Sequence, residues 1–310
     1  MDAPPQPWPT GLCELAEPLV RRVLAPNPSP YTYTGTQTYV VGAGSEVAVI
    51  DPGPAGTGVA GHADTNAFDS NGRGHVEAIL QCIGDARLVA IVCTHTHRDH
   101  SPAAAPLKAA TGAPIVGCAP LVLEDDFSLG GPRADAAFDP TYAPDRILTD
   151  GERIAGDGWT LEAVATPGHT SNHLCYSLVE SGALFTGDHV MAWSTSVVSP
   201  PDGDMAAYMA SLQKLHDRAD KRYYPAHGPA VDNPRQLVRG MLGHRRQREA
   251  QIVRLLGEGP REIPAMVAAM YKGLDPRLTG AAGRSVLAHL VDLERQGRAS
   301  RSGELWTSLT

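Results

Sequence analysis

Thr94-His95-Thr96-His97-Arg98-Asp99-His100 is the stretch that decides how this 310-residue chain is read. It comes directly after the unbroken apolar run Leu88-Val89-Ala90-Ile91-Val92-Cys93, and a run of that kind reads as a strand buried on both faces. The imidazoles and the carboxylate therefore arrive where a strand breaks into a turn, and they can be aimed at one point. Neutral imidazole and carboxylate suit zinc, and equally iron or manganese. A single histidine behind a strand is commonly a capping or core residue. Here three further sites come in order: Pro167-Gly168-His169-Thr170, Thr186-Gly187-Asp188-His189 and Pro225-Ala226-His227-Gly228. Each closes a predicted strand, and it is the set, more than any member, that carries a metal reading.

Working outward, residues 31–41 and 46–50 predict a strand hairpin that ends at Asp51-Pro52-Gly53. Residues 53–75 are dense in Gly, Ala, Asp and Asn and predict a long loop, in which His62, Asp64 and Asp69 read as solvated polar residues. Helices are expected over 75–83, 103–111 and 205–216. Strands are expected over 114–117, 160–166, 173–179 and 183–186, with a Gly/Pro/Asp-rich connection over 124–145. Strands interleaved with helices, with metal-type residues placed just after strands, give a layered fold whose site lies along one rim of its sheets. From Leu237 the pattern turns helical: helices over 245–256, 263–271 and 283–296, then two short strands about Ser302-Gly303. That order is the order of a winged helix. The division expected is a catalytic domain over 1–234 and a winged-helix-like domain over 235–310.

The run from His95 to His100 matches the H-x-H-x-D-H signature residue for residue, so the chain resembles the metallo-β-lactamase superfamily over roughly residues 31–230. The other three sites and Asp51-Pro52-Gly53 supply the remaining elements of the family pattern in order. The resemblance implies an α+β fold, an αββα sandwich, carrying here a small C-terminal winged-helix-like domain. It implies two divalent metal ions, with zinc the expected identity. His95, His97 and His169 would hold one ion, Asp99, His100 and His227 the second, and Asp188 would bridge both. Asp51, a turn former in the first instance, His173 and His189 are expected to hydrogen-bond the ligand side chains from behind.

The chemistry such a centre supports is hydrolysis. A hydroxide bridging two cations has its pKa drawn towards ~7 from the ~15.7 of water, and the cations polarise the carbonyl or phosphoryl group it attacks. Asp99 is the candidate catalytic residue, delivering a proton to the leaving group. His97 stands where flavo-diiron relatives carry Glu, and Asp188 stands where zinc β-lactamases lack an aspartate, so neither of those branches is expected. The compact tail is similar to that of the lactamase-like endoribonucleases, which cleave single-stranded RNA. Two substrate classes stay open, an RNA phosphodiester and a thioester or lactone. The alternatives are a mononuclear-iron persulfide dioxygenase and a winged-helix nucleic-acid-binding regulator with a vestigial site.

Charge divides along the chain. Residues 235–310 hold 13 Lys and Arg against 7 Asp and Glu, whereas residues 1–234 hold 13 against 27. A balance of plus 6 is a moderate basic footprint for nucleic acid. Five cysteines without a C-x-x-C pair read as small buried hydrophobes in a reducing compartment. Met1-Asp2-Ala3-Pro4-Pro5 opens without the pattern of a secretory leader. The expectation is a soluble cytoplasmic protein acting on a small molecule or single-stranded RNA, with no membrane partner, and compatible with a homo-oligomer.

Overall fold

The computed structural model describes residues 8–55, 74–122 and 137–309. His62, Asp64 and Asp69, with most of the expected 53–75 loop and much of the 124–145 connection, lie outside the described residues.

One sheet runs in sequence order through β1 (Cys13–Glu17), β2 (Val20–Leu24), β3 (Gln37–Val41), β4 (Glu46–Ile50), β5 (Arg87–Cys93), β6 (Ile115–Gly117) and β7 (Arg146–Ile147). Its first four strands are an antiparallel meander. From β4 onward the pairing is parallel, which demands crossover connections. Helices α1 (His75–Ile83) and α2 (Ala104–Thr111) lie in the first two of these connections. The second sheet is built from β8 (Arg153–Gly156), β9 (Trp159–Ala165), β10 (Leu174–Leu178), β11 (Ala183–Gly187) and β12 (Arg222–Pro225), in the order β12-β11-β10-β9-β8. Only β11 and β12 pair in parallel, and α3 (Met205–Asp217) connects them, its first turn capped by the Asp204 carboxylate accepting from Ala207 N.

Side-chain alternation sorts the second sheet into two cores. Leu174, Tyr176 and Leu178 of β10, with Ala183 and Phe185 of β11, pack in the core shared with the first sheet. The intervening Cys175 and Leu184 join Tyr208, Leu212 and Leu215 of α3 instead. Two sheets face to face with helices outside them make the αββα sandwich expected from the sequence. No helix among the described residues is long and apolar enough to cross a membrane.

The C-terminal part comprises α4 (Pro234–Gly257), β13 (Arg261–Glu262), α5 (Ile263–Met270), α6 (Thr279–Arg295), β14 (Ala299–Ser302) and β15 (Leu305–Ser308), the strands pairing as β13-β15-β14. The helix expected over 245–256 begins at Pro234, with proline in its first turn where no N–H partner is needed. Gly240 and Gly243 interrupt the apolar period there and obscured its first half. Val238, Met241 and Leu242 of α4 belong to the α3 core. Ile252, Leu255 and Leu256 belong to a separate core with Val286, Leu290 and Trp306. One helix thus runs through both.

Two other expectations need correction. The strand expected over 31–41 is shortened to β3, because Tyr33 has a positive φ of 58° and Asn27 takes Thr36 N and the Thr36 hydroxyl as partners, turning the chain into a loop. The cysteines are not all unpaired: Cys13 of β1 and Cys82 of α1 form a disulfide. Packing of α1 on β1 brings them together across 69 residues of sequence, a separation that leaves no local motif to read. Cys93, Cys118 and Cys175 are buried thiols.

Candidate metal centre

The parallel pairing of β4 with β5 sets the loops after both strands side by side. Asp51, at the end of β4 with a positive φ of 48°, accepts hydrogen bonds from Thr94 N at 2.7 Å, the Thr94 hydroxyl at 2.8 Å and His100 Nδ1 at 3.0 Å. One carboxylate therefore closes the 94–100 turn at both ends. Because the Thr94 hydroxyl donates to Asp51, it accepts from His95 Nδ1 at 3.0 Å. His169 Nδ1 donates to Val197 O at 2.6 Å, and His227 Nδ1 to Gly35 O at 3.2 Å. Four imidazoles thus have their Nδ1–H drawn outward, which turns Nε2 of each inward, toward where a cation would take its lone pair.

Those nitrogens converge in two groups. His95 Nε2 lies 3.0 Å and His169 Nε2 lies 3.2 Å from His97 Nδ1. A single proton on His97 Nδ1 cannot serve both contacts. Zinc bonds of ~2.0–2.1 Å in tetrahedral array place ligand nitrogens roughly 3.3 Å apart, so the spacing is that of donors round one ion. In the second group Asp99 Oδ2 lies 3.3 Å from His100 Nε2 and 3.1 Å from His227 Nε2. Asp188 stands between the groups: its Oδ1 is 3.2 Å from His227 Nε2 and 3.5 Å from His100 Nε2, while its Oδ2 is 3.7 Å from His169 Nε2. Among the described residues these are two clusters able to hold a metal ion. His100 Nε2, His227 Nε2 and Asp188 Oδ1 are buried without a hydrogen-bond partner, a state rare for buried polar atoms and one that cations would relieve.

Electrostatics distinguish the two groups. Burial, reinforced by the surrounding imidazoles, pushes His97 down to about 3 and His95 well below its ordinary value, so both are neutral donors. Burial acts the same way on His100 and His227, but Asp99 and Asp188 overrule it and raise both. Burial would raise the two carboxyls in turn, yet His100 and His227 hold Asp99 far down, and His227, His100 and His169 hold Asp188 down. Both acids are ionised at neutral pH.

His173 and His189 stand behind the cluster and make no hydrogen bond to a converging side chain. His173 Nδ1 pairs with the Thr166 hydroxyl at 2.9 Å. His189 packs on the Tyr208 ring at 4.7 Å, with both ring nitrogens buried and unpartnered. The expected role of hydrogen-bonding the ligands from behind therefore falls to Asp51, to Thr94 at the head of the motif, and to two groups that no sequence motif singles out, Gly35 O and Val197 O. Backbone carbonyls leave no residue signature. The glycine before Asp188 does have a reason legible in the structure: a Cβ at Gly187 would lie 2.6 Å from Thr94 Oγ1 and 2.8 Å from His173 Nε2.

Known proteins share this fold. The family described as "Metallo-beta-lactamase superfamily" matches residues 31–227, and that described as "Beta-lactamase associated winged helix domain" matches residues 263–306. The chain is 31% identical over 263 residues to an atrochrysone carboxyl ACP thioesterase of Cryptosporiopsis sp. (strain 8999), covering 84% of this chain and 70% of that one. It is 32% identical over 297 residues to a beta-lactamase-like protein 2 homolog of Drosophila melanogaster, covering 92% and 91%. A beta-lactamase domain protein from Burkholderia ambifaria shares the fold with a TM-score of 0.78 at 20% identity, over 98% of this chain and 95% of that one. A metallo-beta-lactamase family protein from Thermus thermophilus does so with a TM-score of 0.74 at 21% identity, over 95% and 100%.

Proposed function

This chain belongs to the metallo-beta-lactamase superfamily and is a metal-dependent hydrolase, and from that premise we propose that it hydrolyses thioesters at a dinuclear zinc centre. The observation that carries the dinuclear reading is Asp188, whose two carboxylate oxygens face two separate donor clusters. His95, His97 and His169 would hold one ion, Asp99, His100 and His227 the other, and Asp188 would serve both. The donor set of imidazole and carboxylate without thiolate suits zinc. The thioester reading is supported by the relatives named as carboxyl ACP thioesterases, at 29–31% identity. Against an RNA substrate weighs α6, the helix a winged helix would offer to a groove: Ala282, Val286, Leu287, Ala288, Leu290 and Leu293 are buried in packing.

Divalent cations held here supply a water ionisable near neutral pH and polarise the acyl carbonyl. Asp99 is the group placed to handle the proton. Its Oδ2 faces His100 and His227, its side chain is 27% exposed, and it is held ionised, so it takes a proton from the attacking water and returns it to the departing sulfur. The C–S bond breaks, a C–O bond forms, and an acid and a thiol leave.

Elemental analysis of protein purified without chelator tests the centre, and turnover on acyl thioesters, lactones and single-stranded RNA tests the substrate. About two zinc per chain, thioester cleavage, and loss of both in His95→Ala are expected. One iron per chain, or RNA cleavage without thioester cleavage, overturns the reading.

A further inference from the structure

A buried arginine of the C-terminal part reaches the segment that backs the metal centre. Arg245 of α4 is 2% exposed. Its Nη2 donates to Ser196 O, its Nη1 donates to Ser285 Oγ of α6 at 3.0 Å, and its guanidinium lies over the Tyr208 ring of α3 at 5.1 Å. These partners are all neutral. A guanidinium buried without a carboxylate is a poor source of stability, but this one ties α4 to α6 and to the segment at Ser196.

Ser196 is the hub. Its hydroxyl reaches the backbone carbonyls of Asp188 and, at 2.8 Å, His189. The carbonyl of the next residue, Val197, accepts the Nδ1 proton of His169 at 2.6 Å. Tyr208, under the guanidinium, donates to His189 O at 3.1 Å. Arg245 therefore grips the two-residue strap 196–197 that fixes where Asp188 leaves β11 and which nitrogen His169 turns inward.

We propose that Arg245 is a positioning residue for the metal centre: it braces the 196–197 strap against α4 and α6, making the C-terminal part a structural support of the site. The proposal rests on the reading of His169 and Asp188 as metal ligands. Partners lying behind ligand side chains are typically worth about 10–100-fold in metal affinity, and loss of the Arg245 anchor is expected to fall in that range.

The test is zinc affinity, measured by competition with a chromophoric chelator, on the wild type, Arg245→Met, Arg245→Lys and Leu242→Ala. Leu242 is a buried α4 residue outside the strap and controls for destabilisation alone. Arg245→Met is expected to bind zinc at least about ten-fold more weakly, with kcat reduced more than KM is changed. Arg245→Lys, which keeps one donor for Ser196 O, is expected to recover part of the loss, and Leu242→Ala is expected to bind zinc as the wild type does. Unchanged affinity in Arg245→Met, or an equal loss in Leu242→Ala, overturns the proposal. Should Arg245→Met fail to fold, Ser196→Ala decides: weaker binding supports the strap, and unchanged binding overturns it. A wild type that takes up no metal removes the metal reading itself, whereas a wild type that binds two ions with an indifferent Arg245 removes only this proposal.

Discussion

Asp51 concentrates more of the site's order than any single donor to the metal clusters. It takes Thr94 N, the Thr94 hydroxyl and His100 Nδ1 at 2.7–3.0 Å, all buried. Replacing it by Ala leaves a buried N–H and an imidazole proton without acceptors, at a cost of about 1–3 kcal/mol for each. It also frees the tautomer of His100. Asp51→Ala is expected to lower metal affinity by about 10–100-fold and to lower the melting temperature of the metal-free protein as well. Asp51→Asn separates the two effects, since it keeps one acceptor oxygen and loses the charge. Chelator competition alongside thermal unfolding reads both; wild-type affinity in Asp51→Ala would show that the 94–100 turn stands without it. Asp51 was legible as a turn residue because Asp-Pro-Gly marks a turn wherever it occurs. Its three hydrogen bonds were not, because they depend on the loop after β5 lying beside it.

At the scale of elements, strands and helices with strong periodicity were readable, and α1 and β4 fall where the sequence placed them. β1 and β2 were not foreseen: Cys13–Glu17 alternates weakly, and the charged Arg21 and Arg22 sit inside β2. α6 carries a consequence of its burial that the sequence does not announce. His289 lies inside it at 3% exposure with neither ring nitrogen bonded, and burial, with Arg245 nearby, pushes it down to about 3. The unfolded chain binds a proton there near the ordinary value of 6.5, and the folded chain does not. Between those two values stability therefore falls as pH falls, by up to about 1.4 kcal/mol per pH unit from this group, and above about 6.5 the group contributes no pH dependence. His289→Leu is expected to lessen the drop in urea midpoint between pH 7 and pH 5 in metal-free protein. An identical drop in the two proteins would mean that His289 is hydrated in the fold.

Across the whole molecule, α4 joins the sandwich to the tail. Its first half buries Val238, Met241 and Leu242 in the core with α3, and Ala288 of α6 joins them. Each such apolar side chain is worth about 1.5–3 kcal/mol when fully buried. A chain ending at Asn233 would expose that face of α3 and lose Arg245, so residues 1–233 alone are expected to be largely insoluble or to form a loosely packed species that binds metal weakly. Size-exclusion chromatography and zinc titration of that fragment check this; a monodisperse fragment with wild-type zinc affinity would show that the sandwich is self-sufficient. The sequence by itself determined the candidate donor residues, their placement at strand ends, a layered fold of strands and helices and the winged-helix order of the tail, because buried strands, helical periodicity and ligand chemistry are local properties of the chain; the αββα sandwich was what the family resemblance implied. Only the tertiary structure decided that Cys13 meets Cys82, that carbonyls of Gly35 and Val197 orient the imidazoles, and that Arg245 reaches the site from the tail. Those are contacts between segments tens to hundreds of residues apart, set by how sheets and helices pack rather than by any pattern within a segment.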